Sequence, residues 1–444
     1  GGGIGGLTLA VALSRLNIDS DALEIDIYES APQLTQIGAG ITFWPRAWKI
    51  LEKLGLTTEL ARHLAPGQHI PDGTGPPRLG FQFRKADGQE GGTEYSIIVT
   101  GTPLSFHRTV VQEALLQHLS PSIKFHLSSR LVSYTESSGS VTAPIELSFA
   151  DGKSATCDLL IGADGIKSII RRQVTSENPH ASSLDSEGDR CLNTDPVWTG
   201  TFAYRCAVDS TILKEKMPSH RALTTHVVYC GKNKHIVAYP ILQGSVVNVA
   251  SYVSDLSKEG VKYTGPSFED VSKEEFVPLF ETWEEEVRLL IQNTEKPSRW
   301  AIHAIRPLES YISTSRNVLL LGDAAHAMTP HQGNGAGQAI EDAYILAHLL
   351  AHGIRSSAPT SSIAHVYDVI RRPAANLVHH FSRLQGLLYE FNSPEFEDHA
   401  DESWSSSHVE SLGEAIIRDW RYAWETTAED DRERALAMLD RRSF

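Results

Sequence analysis

Residues 317–350 read NVLLLGDAAHAMTPHQGNGAGQAIEDAYILAHLL, and few folds accommodate such a run. Val318–Leu321 is apolar enough for a buried strand and opens into Gly322-Asp323. A loop carrying Pro330, Gly333, Gly335 and Gly337 follows, and helical spacing of apolar residues begins near Gln338. Strand, acid, loop and helix start in this order put one carboxylate and several backbone amides at one edge of a sheet. The amide end of a helix carries unpaired N–H donors and positive potential, so it favours a ligand with negative or developing negative charge. The run therefore predicts an α/β fold with a polar-ligand pocket.

A second glycine-rich turn opens the chain. Gly1-x-Gly3-x-x-Gly6 precedes an apolar helical stretch, Leu7–Leu16, and an alternating segment, Ile25–Glu29, that ends in an acid. Glycines at this spacing allow a tight turn, close approach of the backbone to a pyrophosphate, and helix-on-strand packing; the acid can accept hydrogen bonds from a ribose diol. Such a turn ordinarily follows a buried parallel strand. None precedes Gly1, so a segment of a longer chain is expected rather than a sheet without its central strand. A third acid-glycine pair, Asp164-Gly165, closes the short apolar strand Leu159–Gly162, with Ser168 and Arg171 downstream. It reads equally as a ligand contact at a strand end and as the cap of the following helix.

The net charge of −15 argues against nucleic acid or an anionic membrane surface as partner. No apolar run is long enough to span a bilayer. Cys157, Cys191, Cys206 and Cys230 form neither a CxxC pair nor a cluster with histidines, which predicts no metal site and a reducing, cytoplasmic location.

The texture divides the 444 residues into three parts. A discontinuous nucleotide-binding domain is expected over 1–65, 102–180 and 300–355. Its helical segments include Trp48–Leu60 and Arg108–Leu119, and Arg299–Ile305 marks the return to it. Gly200–Val208, Thr225–Tyr229, His235–Pro240 and Val246–Val253 predict an antiparallel sheet in an inserted substrate domain over 66–101 and 181–299. Within that domain, Pro66–Gly92 is expected as loop or short edge strands, Ser176–Pro196 as loop, and Ser267–Leu290 as acidic helix. A helical C-terminal region spans 356–444, entered by a Ser/Pro-rich link at Ser356–Ser362.

Taken together, GAGITFWPRAWKILEKLGL at 38–56, FHRTVVQEAL at 106–115, LIGADGIKSIIR at 160–171 and the stretch at 320–343 resemble the single-component FAD-dependent aromatic hydroxylases of the salicylate hydroxylase type. The resemblance runs in order over nearly the whole chain. It implies a Rossmann-like FAD-binding domain of the GR2 type with an inserted antiparallel substrate sheet and a helical tail. It also implies roles for individual residues. Gly1, Gly3 and Gly6 would sit at the FAD pyrophosphate, Glu29 at the adenosine ribose, and Arg108 at the ribityl–phosphate part. Asp164 and Gly165 would serve FAD and the nicotinamide co-substrate, and Asp323 the ribityl and pyrophosphate region. Pro330 would lie beside the reactive carbon of the flavin. The amides of Gly333, Asn334, Gly335 and Ala336 would face its pyrimidine end, where reduced flavin carries charge. Many members carry glutamine at the position of Asn334 and asparagine at that of Arg46.

The implied activity is an NAD(P)H- and O2-consuming monooxygenase that hydroxylates a small phenolic or aromatic acid through a flavin C4a-hydroperoxide, working as a monomer or homodimer without metal. His235 and Tyr239, four apart on one strand, share a face. They are the expected base and relay for the phenolic proton, with Arg205 holding a substrate carboxylate or phenolate. His326 and His331 are expected to serve packing or loop hydrogen bonds. Three alternatives stay open: a larger polyketide- or indole-type substrate, a fragment that does not hold FAD, and a non-catalytic flavin-fold protein. A halogenase is disfavoured because no W-x-W-x-I-P segment is present.

Overall fold

The computed structural model describes residues 1–16, 18, 22–34, 40–65, 68–70, 77–90, 92–99, 103–136, 144–176, 182–184, 190–192, 195–396 and 406–441. Residues 38–39 of the second motif, part of the Pro66–Gly92 stretch, most of Ser176–Pro196 and the side chain of Cys191 lie outside the described residues.

Two pairs of short parallel strands form the nucleotide-binding layer. Asp26–Tyr28 pairs with Lys124–His126, and Leu160–Gly162 with Val318–Leu320. Gly1 lies between the ends of these pairs: its neighbour Gly2 donates its amide to Glu29 Oε2 at 2.8 Å, and a Cβ on Gly1 would collide with the Ala163 carbonyl. The helix Ile4–Arg15 starts directly at the glycine turn and buries Leu7, Leu9, Ala10 and Val11. It packs along the helix Gly335–Ser356, and Gly5 permits the approach because a Cβ there would meet Leu321 and Ala339. Burying each such leucine or valine contributes roughly 1.5–3 kcal/mol. The long helix begins at Gly335, three residues before the point where apolar periodicity becomes visible, because its first turn is glycine and alanine.

The inserted sheet has eight strands in the order Phe268–Asp270, Ser298–Ala304, Val197–Asp209, Val246–Ser254, Lys234–Ile241, Val227–Gly231, Arg78–Lys85 and Glu94–Val99. All neighbours are antiparallel except Val227–Gly231 with Arg78–Lys85. Three expectations change here. Arg78–Lys85 is an interior strand of this sheet rather than loop or edge, because its alternation is hidden among glycine and charge. Ser298–Ala304 pairs with Val197–Asp209 and so belongs to this sheet, not to the nucleotide-binding layer. Ser267–Leu290 is not one helix: strand Phe268–Asp270, the short helix Lys273–Phe276 and a 3-10 turn lead into the helix Glu285–Gln292.

Alternation along the sheet separates its two faces. Tyr204, Val208, Tyr229, Ile236, Ala238, Val247 and Val249 pack against Phe276, Phe280, Trp283, Val287 and Leu290. The opposite face turns to the nucleotide-binding layer. Helix Thr360–Tyr389, with Pro373 inside it, and helices Ser406–Trp420 and Ala428–Asp440 close the structure. The link before them is only Ser357 to Pro359. Among the described residues no helix is long and apolar enough to cross a membrane, and no group of histidine, cysteine or acid side chains is arranged to hold a metal ion.

Candidate active site

The two layers enclose a cavity of about 400 Å3. Its glycine-rich wall has three parts. Gly3 and Gly6 come from the first turn, Ala163 and Gly165 from the strand end after Gly162, and Asp323, Pro330, Gly333, Gly335 and Ala336 from the long run at 317–350. Arg108, the first residue of helix Arg108–Gln117, also lines it.

This wall fits a dinucleotide. A Cβ on Gly6 would strike the Gly1 carbonyl, whereas Gly3 has open space beside it, so the turn is tight on one side and accessible on the other. No side chain caps either the helix Ile4–Arg15 or the helix Gly335–Ser356. Their first turns line the cavity, and uncapped first-turn amides suit an anionic group. Gly322 holds φ +63° and ψ −140°, a conformation that glycine adopts without strain and other residues do not. That turn exposes the Asp323 carboxylate at the cavity, where it has no hydrogen bond or ion pair among the described residues.

Beneath the turn lies a buried charge network. Asp342 accepts hydrogen bonds from the Gly322 amide at 3.0 Å, from His326 Nε2 at 2.6 Å and from Arg371 Nε at 2.8 Å. Burial alone would raise the Asp342 pKa, but His326 and Arg371 outweigh it and hold it down at about 2. Arg371 also reaches Glu341, which pairs in turn with Arg46, and Arg46 bonds Thr426, Thr427 and Asp431 of the tail. Arg46 thus ties the tail to the network beneath the site.

Three sequence-predicted residues stand behind the wall rather than on it. Asp164 caps the helix Ile169–Ser176, accepting from Ser168 Oγ at 2.5 Å and from the Ile169 amide at 2.8 Å, so Ala163 and Gly165 are what face the cavity. Glu29 holds the first turn, bonding the Gly2 and Ala31 amides at 2.8 Å each. Asn334 donates to the Tyr422 hydroxyl, which itself bonds Gln332 Oε1 at 3.3 Å, so a C-terminal helix braces the glycine loop.

The sheet supplies the other wall. Arg205, Asn248, Ala250, Tyr252, Val237, Tyr239 and Val228 project into the cavity from adjacent strands. Arg205 lies over the Trp300 ring at 5.5 Å. Its Nε is buried without a partner, and no carboxylate pairs with it among the described residues. Tyr239 reaches the cavity as expected. His235 shares its strand face but does not line the cavity, so its expected place as base there is corrected. It is fully buried, stacked on Tyr252 at 4.5 Å and bonded through Nδ1 to Glu390 at 2.9 Å. The imidazole at the cavity is instead His331, beside Pro330; burial lowers its pKa well below the ordinary value, with His235 and Arg383 adding to the effect. Asn248, Ala250 and Tyr252 were legible in principle as every second residue of one strand, whereas Trp420, which reaches the cavity from the tail, leaves no signal in local sequence.

A parallel nucleotide layer with two uncapped helix starts, facing a sheet-borne organic pocket, defines a flavin-dependent oxidoreductase. The FAD binding domain family matches residues 1–221 and 268–382, and the chain belongs to that family. It is 32% identical to a salicylate hydroxylase of Pseudomonas putida over 99% of this chain and 94% of that protein. It is likewise 32% identical to a 6-methylsalicylate 1-monooxygenase of Aspergillus terreus, over 88% of this chain and 82% of the relative. A solved salicylate hydroxylase substrate complex superposes with a TM-score of 0.77 at 27% identity, covering 98% of this chain and 96% of that one. The protein is an FAD-dependent aromatic monooxygenase.

Proposed function

We propose that the protein uses NAD(P)H and O2 to hydroxylate a small phenolic acid of the salicylate type. Arg205 is the observation that carries this reading. A guanidinium in an organic cavity, with a buried Nε and no carboxylate paired with it among the described residues, suits an anionic group on the substrate. Leaving such a donor unsatisfied costs roughly 1–3 kcal/mol, and a carboxylate can meet it with paired hydrogen bonds.

FAD bound along the glycine wall would accept hydride from NAD(P)H and activate O2 for transfer of one oxygen atom to the ring. Gly1, Gly3 and Gly6 would hold its pyrophosphate, with Glu29 near the ribose and Arg108 and Asp323 on the linker. Gly165 would serve the nicotinamide approach. Pro330 and the amides from Gly333 to Ala336 would abut the flavin ring and stabilise charge gained on reduction. Arg205 then fixes the substrate carboxylate, while Tyr239 and the neutral His331 offer acceptors for the phenolic proton, whose loss makes the ring more nucleophilic. Substrate names among the relatives, salicylate and 6-methylsalicylate, agree with a one-ring acid.

The test is a panel of salicylate, hydroxybenzoates, hydroxynicotinates and the corresponding phenols without carboxylate. NAD(P)H oxidation is compared with oxygenated product in each case. Tight coupling is expected only for carboxylated phenols; equal coupling for the uncharged phenols would sink the reading.

A further inference from the structure

Strand register orders the sheet wall of the cavity. Arg205 stands opposite Ala250, Ala250 opposite Val237, and Val237 opposite Val228, and all four line the cavity. This row crosses four strands, so its ends are three ladder steps, about 14 Å, apart. The Arg205 guanidinium lies over Trp300, which belongs to the strand on the other side, and that lengthens the row at its polar end. Polar lining stops partway along. Arg205, Asn248, Tyr252 and Tyr239 come from the three strands nearest the guanidinium, whereas the next two contribute only Val228 and Phe81. Trp44 and Trp420 close this apolar end. The three rings pack together, with centroid separations of 5.8 Å for Trp44–Phe81, 4.9 Å for Trp44–Trp420 and 5.3 Å for Phe81–Trp420, and they share one apolar cluster with Val228.

We propose that the substrate is a salicylate-type acid carrying an apolar chain of roughly three or four carbons para to its carboxylate, received by Val228, Phe81, Trp44 and Trp420. This rests on the reading of Arg205 as the partner of the carboxylate. With the carboxylate on Arg205, a single ring covers Ala250 and Val237, beside the register pair Tyr239 and Asn248 that faces its hydroxyl. The ladder step from Val237 to Val228, about 4.8 Å, remains beyond the ring. At about 1.5 Å per carbon–carbon bond, a chain of that size fills it. A bare ring leaves the stretch to water, against the dryness that activated oxygen requires. An apolar chain displaces that water and gains contact with three aromatic rings. The para position follows from the line of the row: a group opposite the carboxylate points along it, and one beside the carboxylate points across it. Phe81 is fixed in the sheet and Trp44 precedes the helix Pro45–Lys53, whereas Trp420 ends the helix Ser406–Trp420. The tail thus sets the depth of this end, and Trp420 is the specificity-determining residue.

The experiment is isothermal titration calorimetry of the FAD-loaded protein with salicylate and its 4-methyl, 4-ethyl, 4-propyl and 4-hexyl derivatives, beside the matching 6-alkyl series. Affinity is expected to rise about fourfold per added carbon through the 4-propyl compound, and to level off by the 4-hexyl one. The 6-alkyl series should show no comparable gain. Trp420→Leu, which shortens the end wall, should let affinity go on rising to 4-hexylsalicylate. Full FAD content and an unchanged far-ultraviolet spectrum show that its fold is retained; if the variant does not fold, the wild-type series decides alone. Equal affinity for salicylate and 4-propylsalicylate would overturn the proposal. So would equal gains in the two series, which mark general hydrophobicity rather than this end of the cavity. Weakening of every ligand to the same degree by Trp420→Leu would also overturn it and assign that ring to the flavin. A wild-type protein that binds salicylate no better than phenol would instead overturn the Arg205 reading, and this inference with it.

Discussion

Nδ1 of His235 and a carboxylate oxygen of Glu390 lie 2.9 Å apart, with side chains 0% and 3% exposed. The pair pins the end of helix Thr360–Tyr389 to the centre of the large sheet, and Asn233 reinforces it by donating its amide to the Glu390 carbonyl at 3.1 Å. His235→Leu is expected to destabilise the fold by about 3–5 kcal/mol, because it leaves a buried carboxylate without its partner. Denaturant unfolding monitored by tryptophan fluorescence measures this. A variant of unchanged stability with hydroxylation abolished would return His235 to the role of base.

Arg205 touches no protein carboxylate among the described residues, so its replacement should act on substrate rather than on the fold. Arg205→Leu is expected to raise KM for a carboxylated phenol about 10- to 100-fold, the worth of a charge-assisted hydrogen bond. FAD content should stay near that of the wild type. Steady-state kinetics beside the flavin absorbance of the purified protein checks both halves. An unchanged KM for carboxylated substrates would remove Arg205 from the binding site.

Asp323 stands exposed at the cavity, outside the buried network below it. Asp323→Ala should therefore weaken FAD binding by about 10- to 100-fold, with little effect on the melting temperature of the flavin-free protein. Titration of the stripped protein with FAD gives the dissociation constant. Full yellow colour after exhaustive dialysis would show that the carboxylate does not hold the cofactor.

Asp342 links pH to stability. Its pKa is near 2 in the fold against an ordinary 3.8. A depressed carboxylate stabilises the fold fully above its unfolded value, and the contribution disappears as pH falls through the folded one. The expected contribution is about 2 kcal/mol, present above pH ~4 and lost by pH ~2. Asp342→Asn should be strongly destabilised at neutral pH, and the gap to wild type should narrow on acidification across that window. Unfolding midpoints measured at a series of pH values test the sign, and a gap of constant size would contradict it.

What the chain disclosed by itself follows from the range of the interactions involved. The run from Val318 through Asp323 to the Gly335 helix was legible because strand, turn and helix start each depend on residues a few positions apart. The same holds for the turn at Gly1–Gly6. Tyr239 and Arg205 could be placed on sheet faces by alternation alone. His235 could not be placed correctly, since its partner Glu390 is 155 residues away and covers it from a different helix. Alternation says which face a side chain takes, not what lies over that face. Asp164 was ambiguous for a related reason: a carboxylate ahead of a helix suits both a cap and a ligand, and only the hydrogen bonds to Ser168 and Ile169 decide.

The strict division of labour across the large sheet has a practical meaning for redesign. Odd and even positions of one strand answer to different neighbours: Val237 and Tyr239 to the reaction chamber, Ile236 and Ala238 to the helical backing. Substitutions at Val237, Asn248 and Ala250 can thus reshape the chamber while the backing layer and the cofactor turns keep their sequences. Val228, by contrast, is packed into the core that joins the sheet to the C-terminal helices.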